Sequence, residues 1–320
     1  MKVLVLGASG GMGSAIVNEL TSREMEVVAF ARTKAKLYQL YGNNSLVNIV
    51  AGDMLNGMEV IKAAEGTDLI IHSVNVPYAE WAEKLPKIMQ HTLNAAKKHK
   101  TRLAIVDNIY GYGKNSGKKI KEDQPKQAHT RKGQIRLELE QMVKDSGVSY
   151  VIAHFPDFYG PHAGNAILNY YLQSVAEKKR SMFVGDPNIL REYIYTPDGA
   201  KALVNLAIHE TAYGRNWNIP ATDVISGKQI FEITDKLTNQ NGKPVIVNKL
   251  MIQLLGLFDK NMREVVEMFY LTKEPVVLDG ELYEREIGPI PKTSYEEGLK
   301  ETLRSLAETR EQEETVNGPV

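Results

Sequence analysis

Cysteine is missing from all 320 residues, tryptophan occurs twice, and neither sign of charge is in excess, with 39 basic against 39 acidic side chains. Without cysteine there are no disulfides, no thiolate nucleophile, no iron–sulfur cluster and no cysteine-held zinc. Balanced charge argues against a dedicated nucleic-acid binder, which needs a basic surplus to neutralise phosphates. Long apolar runs are lacking too. A membrane-spanning helix takes about 20 apolar residues, and no such stretch occurs. The apolar run near the start, Val3 to Leu6, is too short for a secretory core. The seven histidines (His72, His91, His99, His129, His154, His162 and His209) include no i, i+4 pair, so no histidine-based metal site is expected. These absences describe a globular protein, expected in the cytoplasm, with no metal, nucleic-acid or membrane partner.

Short apolar runs alternate with helical patterns through the first half. Strands are expected at Lys2–Leu6, Val27–Ala31, Leu46–Val50, Asp68–Val74, Arg102–Val106 and Ser149–Ala153. Between them, helices are expected at Ser14–Thr21, Lys34–Tyr41, Met58–Glu65, Leu85–Lys98 and Ile135–Val143. Strands that are apolar throughout must be covered on both faces. With right-handed crossovers this gives an α/β fold with a doubly wound, parallel Rossmann sheet. The expected organisation is a nucleotide-binding domain over residues 1–155 and a smaller, interleaved α/β region over 156–310, ending in a polar, frayed tail at 311–320. The second region shows helical patterns at Asn165–Glu177, Thr196–His209, Gly227–Leu237, Met251–Tyr270 (interrupted near Asp259) and Glu296–Glu308, and a strand at Val245–Val247.

The strongest motif lies between the first strand and the first helix: Gly7-Ala8-Ser9-Gly10-Gly11-Met12-Gly13. Gly7 permits a tight turn, Gly10 lets backbone approach a pyrophosphate, and Gly13 lets helix and strand pack closely. The helix N-terminus offers free N–H groups and the positive end of its dipole. The loop therefore predicts a dinucleotide. NAD-preferring sites place an acid at the end of the second strand. Here that end reads Phe30-Ala31-Arg32-Thr33, with Lys36 one helical turn on. Arg32 and Lys36 suit a 2′-phosphate, so NADP(H) is expected in preference to NAD(H). Asp53 and Met54, after the third strand, are placed beside the adenine, although Asp53 also suits a turn. Ser73, Asn75 and Val76, after the fourth strand, should pass beside the cofactor.

The glycine motif, Gly52-Asp53 and Ile71-His72-Ser73 resemble the extended or atypical branch of the short-chain dehydrogenases/reductases, the branch that holds NAD-dependent epimerases and dehydratases. Three later segments carry the resemblance further: Phe155-Pro156-Asp157-Phe158-Tyr159-Gly160-Pro161, Arg191-Glu192-Tyr193-Ile194-Tyr195-Thr196-Pro197-Asp198, and Pro291-Lys292-Thr293-Ser294-Tyr295-Glu296-Glu297-Gly298-Leu299. The resemblance implies chemistry by a Ser/Thr and a Tyr-x-x-x-Lys pair. This chain departs from both. Asn108 stands at the hydroxyl position, and the segment expected to carry the pair, His129 to Arg136, contains no tyrosine. A literal Tyr110-Gly111-Tyr112-Gly113-Lys114 follows the fifth strand, where its glycines disfavour a helix.

A proton donor is needed within hydrogen-bond reach of a substrate oxygen. Tyr110 or Tyr112, helped by a cation such as Lys132, Arg131 or Arg136, is the candidate donor, and Asn108 would orient a carbonyl. The alternative is that both tyrosines pack against the second half with hydroxyls on backbone. Tyr78 and Trp81 are either pocket walls or ordinary surface-to-core anchors, His154 is expected to be a satisfied near-core histidine, and Arg191 and Glu192 are expected to pair. The resemblance implies an NAD(P)-binding oxidoreductase on a small carbonyl or sugar-like substrate. A non-catalytic NADP-binding redox sensor (NmrA-like) and a nucleotide-sugar epimerase or dehydratase are the alternatives. Members of that family often form dimers through two helices of the first half, and the stripes Leu85–Ala96 and Ile135–Met142 either serve such an interface or face the sheet.

Overall fold

The computed structural model describes residues 1–115, 118–164 and 166–317, the side chains of residues 261 and 311–317 excepted. Its centre is a parallel sheet of seven strands: β1 (Lys2–Leu6), β2 (Glu26–Ala31), β3 (Val47–Ala51), β4 (Leu69–His72), β5 (Arg102–Asn108), β6 (Tyr150–Phe155) and β7 (Arg215–Asn218). The spatial order is β7-β6-β5-β4-β1-β2-β3. The order reverses between β1 and β4, which opens a crevice at their carboxyl ends, where doubly wound folds take ligands.

Alternation along β1 explains why every residue from Val3 to Leu6 is apolar. Val3 and Val5 face one core, and Leu4 and Leu6 face the other. The first core is closed by α1 (Gly11–Ser22) and α2 (Lys34–Tyr41). The second is closed by α3 (Gly57–Ala63), α4 (Trp81–His99) and α5 (Arg131–Lys144).

The second half completes the first. The helix Thr196–Ile208 packs on α1, and its Ala200, Leu203, Val204 and Ala207 are wholly buried in the first core. Strand β7, Arg-Asn-Trp-Asn, adds the seventh position of the sheet by pairing with β6. Its composition carries no strand pattern, and it was absent from the sequence reading.

A small sheet joins Asp157–Tyr159, Leu190–Tyr195 and Val224–Ser226, while Val245–Val247 pairs with Met182–Val184. The helical stretch expected at Met251–Tyr270 is two helices, Lys249–Leu255 and Lys260–Val265, followed by a tight turn of 3-10 helix at Val266–Thr272. The helix expected from Asn165 begins at Ile167, after Ala166 as an extended N-cap (φ −80°, ψ 139°), and Asn165 lies outside the described residues. The last helix runs from Tyr295 to Asn317, past the expected end at Glu308, and residues 318–320 lie outside the described residues. Among the described residues no helix is long and apolar enough to cross a membrane.

Candidate functional site

The glycine loop sits at the crevice. Gly7 turns with φ +84°, and its N–H and that of Ala8 both donate to Phe30 O, at 3.0 and 3.2 Å. A side chain at Gly7 would press on Ser73 O at 2.8 Å, and one at Gly13 would collide with the Gly7 carbonyl. Ser73 belongs to this corner too, its hydroxyl donating to Leu6 O at 2.9 Å. Gly10 differs. It has an ordinary extended backbone (φ −86°, ψ 169°), and a Cβ there would meet only Gly7 O, at 3.5 Å. The protein leaves that space open.

Gly10 caps α1 without a side-chain acceptor, and no acid lies in the helix's first turn. The N–H groups of Gly11, Met12 and Gly13 thus form an uncompensated positive end. A buried residue that sequence reasoning missed braces the loop: Tyr41 donates its hydroxyl to Ala8 O at 2.6 Å. Ala163, beyond Gly160, closes on Gly11, where a Cβ would come within 2.7 Å. The open cradle, the bare helix end and the crevice fit a dinucleotide pyrophosphate.

On the adenosine side, Arg32 and Lys36 are exposed at the end of β2 and the start of α2. Asp53 is exposed, and its carboxylate accepts from the Leu55 N–H at 2.9 Å, which makes it a turn residue first. Met54 is buried, and its carbonyl accepts from His91 at 2.8 Å. After β4, Asn75 accepts from the Val76 N–H, and Val76 O receives the indole N–H of Trp81 at 2.8 Å.

The expected catalytic residues divide into two groups. Asn108 ends β5, and its side-chain oxygen accepts from the Tyr110 N–H at 3.0 Å. Tyr110 then meets Tyr78, hydroxyl to hydroxyl, at 2.6 Å. Trp81 stacks on the Tyr110 ring with centroids 6.0 Å apart, and the Arg136 guanidinium lies 4.4 Å over Trp81. Burial pushes Tyr78 up to about 12 and Tyr110 well above its ordinary value, so both are neutral proton carriers at neutral pH. The two hydroxyls share one short hydrogen bond, in which either oxygen can be the donor.

Tyr112 turns the other way and donates to Asn218 of β7 at 2.6 Å. Neither tyrosine hydroxyl goes to backbone. The literal Tyr110–Lys114 pair does not share a helical face, because Gly113 (φ +76°) breaks the turn after Tyr112.

Lys132 lies at the mouth of the aromatic group, 5.4 Å from the Tyr78 ring. It is 1% exposed and bound by two carboxylates that the sequence reading missed, Glu264 and Glu267. Arg191 does not pair with Glu192. Its guanidinium reaches Asp157 at 2.5 Å, while Glu192 accepts from the Leu278 N–H and burial pushes its carboxyl up to about 8. The reason is alternation: neighbours in the strand Leu190–Tyr195 point to opposite faces.

Beneath the site lies a buried polar cluster. Lys126 bonds Glu140 and reaches His154 at 2.8 Å, Arg136 lies 3.4 Å from Asp107, and Asn216 of β7 donates to Glu140. Burial alone would raise Glu140, but the His154 hydrogen bond and the Lys126 charge outweigh it and hold it low. Burial and Lys126 together lower His154. His154 is deeply buried, yet its Nδ1 has no hydrogen-bond partner among the described residues, so the expectation of a satisfied histidine holds for one nitrogen only. Asp107, Glu140 and His154 stand close enough to share a cation, and the Lys126 ammonium bonds two of the three.

The crevice, bare helix end and glycine cradle define a dinucleotide-binding α/β protein. The model of a family described as NAD(P)H-binding matches residues 7–181, more than half of the chain, and the chain belongs to that NAD(P)H-binding family. An uncharacterised protein of Saccharomyces cerevisiae is 38% identical over 73 residues, 22% of this chain and 24% of the relative. The chain thus matches about a quarter of that relative's length.

Solved structures agree over nearly the whole chain. The UDP-glucuronic acid 4-epimerase of Bacillus cereus with NAD is 19% identical, with a TM-score of 0.80 over 97% of this chain and 99% of that one. The UDP-glucose 4-epimerase of Thermotoga maritima is 17% identical, with a TM-score of 0.79 over 97% and 100%. The dTDP-glucose 4,6-dehydratase of Bacillus anthracis is 16% identical, with a TM-score of 0.79 over 97% and 98%. At these identities the likeness is one of fold: the Rossmann fold of the NAD-dependent epimerases and dehydratases.

Proposed function

We propose that the protein is an oxidoreductase that uses NADP(H) in preference to NAD(H) on a small carbonyl or sugar-like compound. Tyr110 serves as proton donor in place of the missing Tyr-x-x-x-Lys tyrosine. One observation carries this reading: the Tyr78–Tyr110 hydroxyl pair at 2.6 Å, just beyond the carboxyl ends of β4 and β5.

The glycine loop and the first turn of α1 hold the pyrophosphate, Arg32 and Lys36 hold the 2′-phosphate, and the backbone from Ser73 to Val76 lies along the cofactor. The bound nicotinamide supplies a hydride. Asn108 orients the substrate oxygen. Tyr110 gives that oxygen its proton and is refilled by Tyr78, which sits 32 residues earlier in the chain on the side of Lys132. Tyr112 holds β7 to the turn after β5 and acts through packing.

The experiment is a carbonyl panel read by loss of NADPH absorbance, with Tyr110→Phe beside the parent. A positioned acid is worth roughly 10²- to 10⁴-fold in rate, so Tyr110→Phe should lose turnover on that scale and keep its affinity for NADPH. Equal turnover in the two proteins would sink the assignment of Tyr110.

A second reading is a cofactor-binding sensor without turnover. It is favoured by Lys132, which is buried between two carboxylates and leaves no free ammonium to acidify a tyrosine. A parent that binds NADPH tightly and turns over nothing in a broad panel would select this reading.

A further inference from the structure

We propose that the turn joining helices Lys249–Leu255 and Lys260–Val265 is a docking tip for an anionic lipid surface. Leu250, Leu254, Leu255, Leu257 and Phe258 are 70, 64, 54, 67 and 93% exposed. Single exposed apolar residues are ordinary. Five within nine consecutive positions, on one helix and the turn that follows it, are not.

The core explains why these side chains face outward. Of the helix Lys249–Leu255 only Ile252 is buried, packing with Val247 and Phe269. Leu250 and Leu254, four apart, share another face. Leu257 and Phe258 then occupy the turn itself, tied by N–H bonds from Leu257 to Leu254 O and from Phe258 to Leu255 O. Arg263 braces that turn, its Nε donating to Gly256 O at 3.1 Å.

Shape and charge choose the occupant. A phenylalanine that is 93% exposed projects from its surroundings, so it inserts rather than lying flat. Five such side chains expose a few hundred Å², the range of a typical monomer's largest apolar patch (roughly 300–600 Å²), which is often functional. That is short of the ~800 Å² per partner of a stable protein interface. Lys249, Lys260 and Arg263 flank the patch and are exposed. Asp259, the acid within it, accepts from the Met262 N–H and caps the next helix. Apolar side chains at a tip with cations around them match the boundary between headgroups and acyl chains. The segment also leads within a few residues to Glu264, which holds Lys132 at the candidate site.

The test is co-sedimentation of the full chain with phosphatidylcholine vesicles, with and without phosphatidylglycerol. Parent protein should pellet with the mixed vesicles and weakly with phosphatidylcholine alone. Leu257→Ser with Phe258→Ser should stay in the supernatant while melting at the parental temperature. Lys249→Glu and Lys260→Glu should weaken binding by at least about fivefold for each cation lost, the factor equivalent to one basic residue near an anionic surface. Light scattering on the soluble protein supplies the contrary arm. A dimer that falls to monomer in the serine variant would make the patch a self-interface and overturn the proposal. So would a parent that ignores both vesicle types, or vesicle binding that survives the serine substitutions.

Discussion

Lys132 is joined by a 2.7 Å ion pair to Glu267, which lies 135 residues further along the chain. The same carboxylate accepts from the Arg131 N–H at 2.9 Å, so it also caps the start of α5. Removing one side of a buried pair costs more than removing the pair, because an unpaired buried charge remains. In Lys132→Met the carboxylates, about 30% exposed, remain hydrated. In Glu264→Gln with Glu267→Gln the ammonium is left behind at 1% exposure. The double glutamine variant should lose about 3 kcal/mol, the low end for a broken buried pair, and the methionine variant clearly less. Urea unfolding midpoints decide the order.

Tyr78 and Tyr110 should behave as one unit. If Tyr78 refills Tyr110, then Tyr78→Phe lowers kcat, and the double variant with Tyr110→Phe is no slower than Tyr110→Phe alone. Groups acting in series are non-additive in this way. Additive losses in the double variant, measured on any substrate found in the panel, would mean that the two hydroxyls act separately.

Much of the fold was legible because its determinants are local. The alternation in β1 and the glycines between it and α1 are short-range patterns, and both lie where the sequence places them. Strand β7 was hidden because Arg215, Asn216 and Asn218 are polar. Two of them are consumed by tertiary partners: Asn216 bonds Glu140, and Asn218 receives Tyr112. Glu264 and Glu267 were illegible as partners of Lys132 for the same reason, since the pairing exists only once the second half folds over α5. Tyr78 and Trp81 read as either pocket walls or ordinary anchors from the sequence. The hydrogen bond that gives Tyr78 a chemical role crosses from the loop after β4 to the turn after β5.

Glu192 makes stability depend on pH. Its carboxyl is pushed up to about 8 by burial, against an unfolded value near 4.3, so the folded chain holds a proton that the unfolded chain releases. This contribution is whole below the unfolded value and is lost as pH rises toward 8. Parent stability should therefore fall between about pH 5 and pH 8. Glu192→Gln keeps an acceptor for the Leu278 N–H without the titration, and its unfolding free energy should be flatter over that range. A parallel slope in the two proteins would remove Glu192 as the cause.

Arg32 should set the choice between the two nicotinamide cofactors. It is exposed at the end of β2, where no acid stands, and a guanidinium binds phosphate in two-pronged fashion. Hydrogen bonds to charged groups contribute about 1.5–3 kcal/mol. Arg32→Ser should therefore weaken NADPH by roughly 10- to 100-fold and leave NADH within a factor of about 2. Calorimetric titration with both cofactors tests it. Equal losses for the two would place Arg32 on the shared adenosine rather than the 2′-phosphate.

Gly10 and Gly13 should separate folding from binding. At Gly13 a methyl group collides with the Gly7 carbonyl, which is backbone and has no room to yield. Gly13→Ala should therefore lower the melting temperature of the free protein and disturb cofactor binding as a consequence. At Gly10 the backbone is extended and a methyl would meet only one atom, at 3.5 Å, so the free protein has no objection to it. Losing glycine there even restricts the unfolded chain, which is mildly stabilising where the conformation is compatible. If Gly10 is glycine because a pyrophosphate must touch its backbone, Gly10→Ala will melt at or above the parental temperature and yet bind NADPH at least 10-fold more weakly, about 1.4 kcal/mol. Parental affinity in that variant would move the pyrophosphate away from Gly10 and take the first turn of α1 out of the binding site.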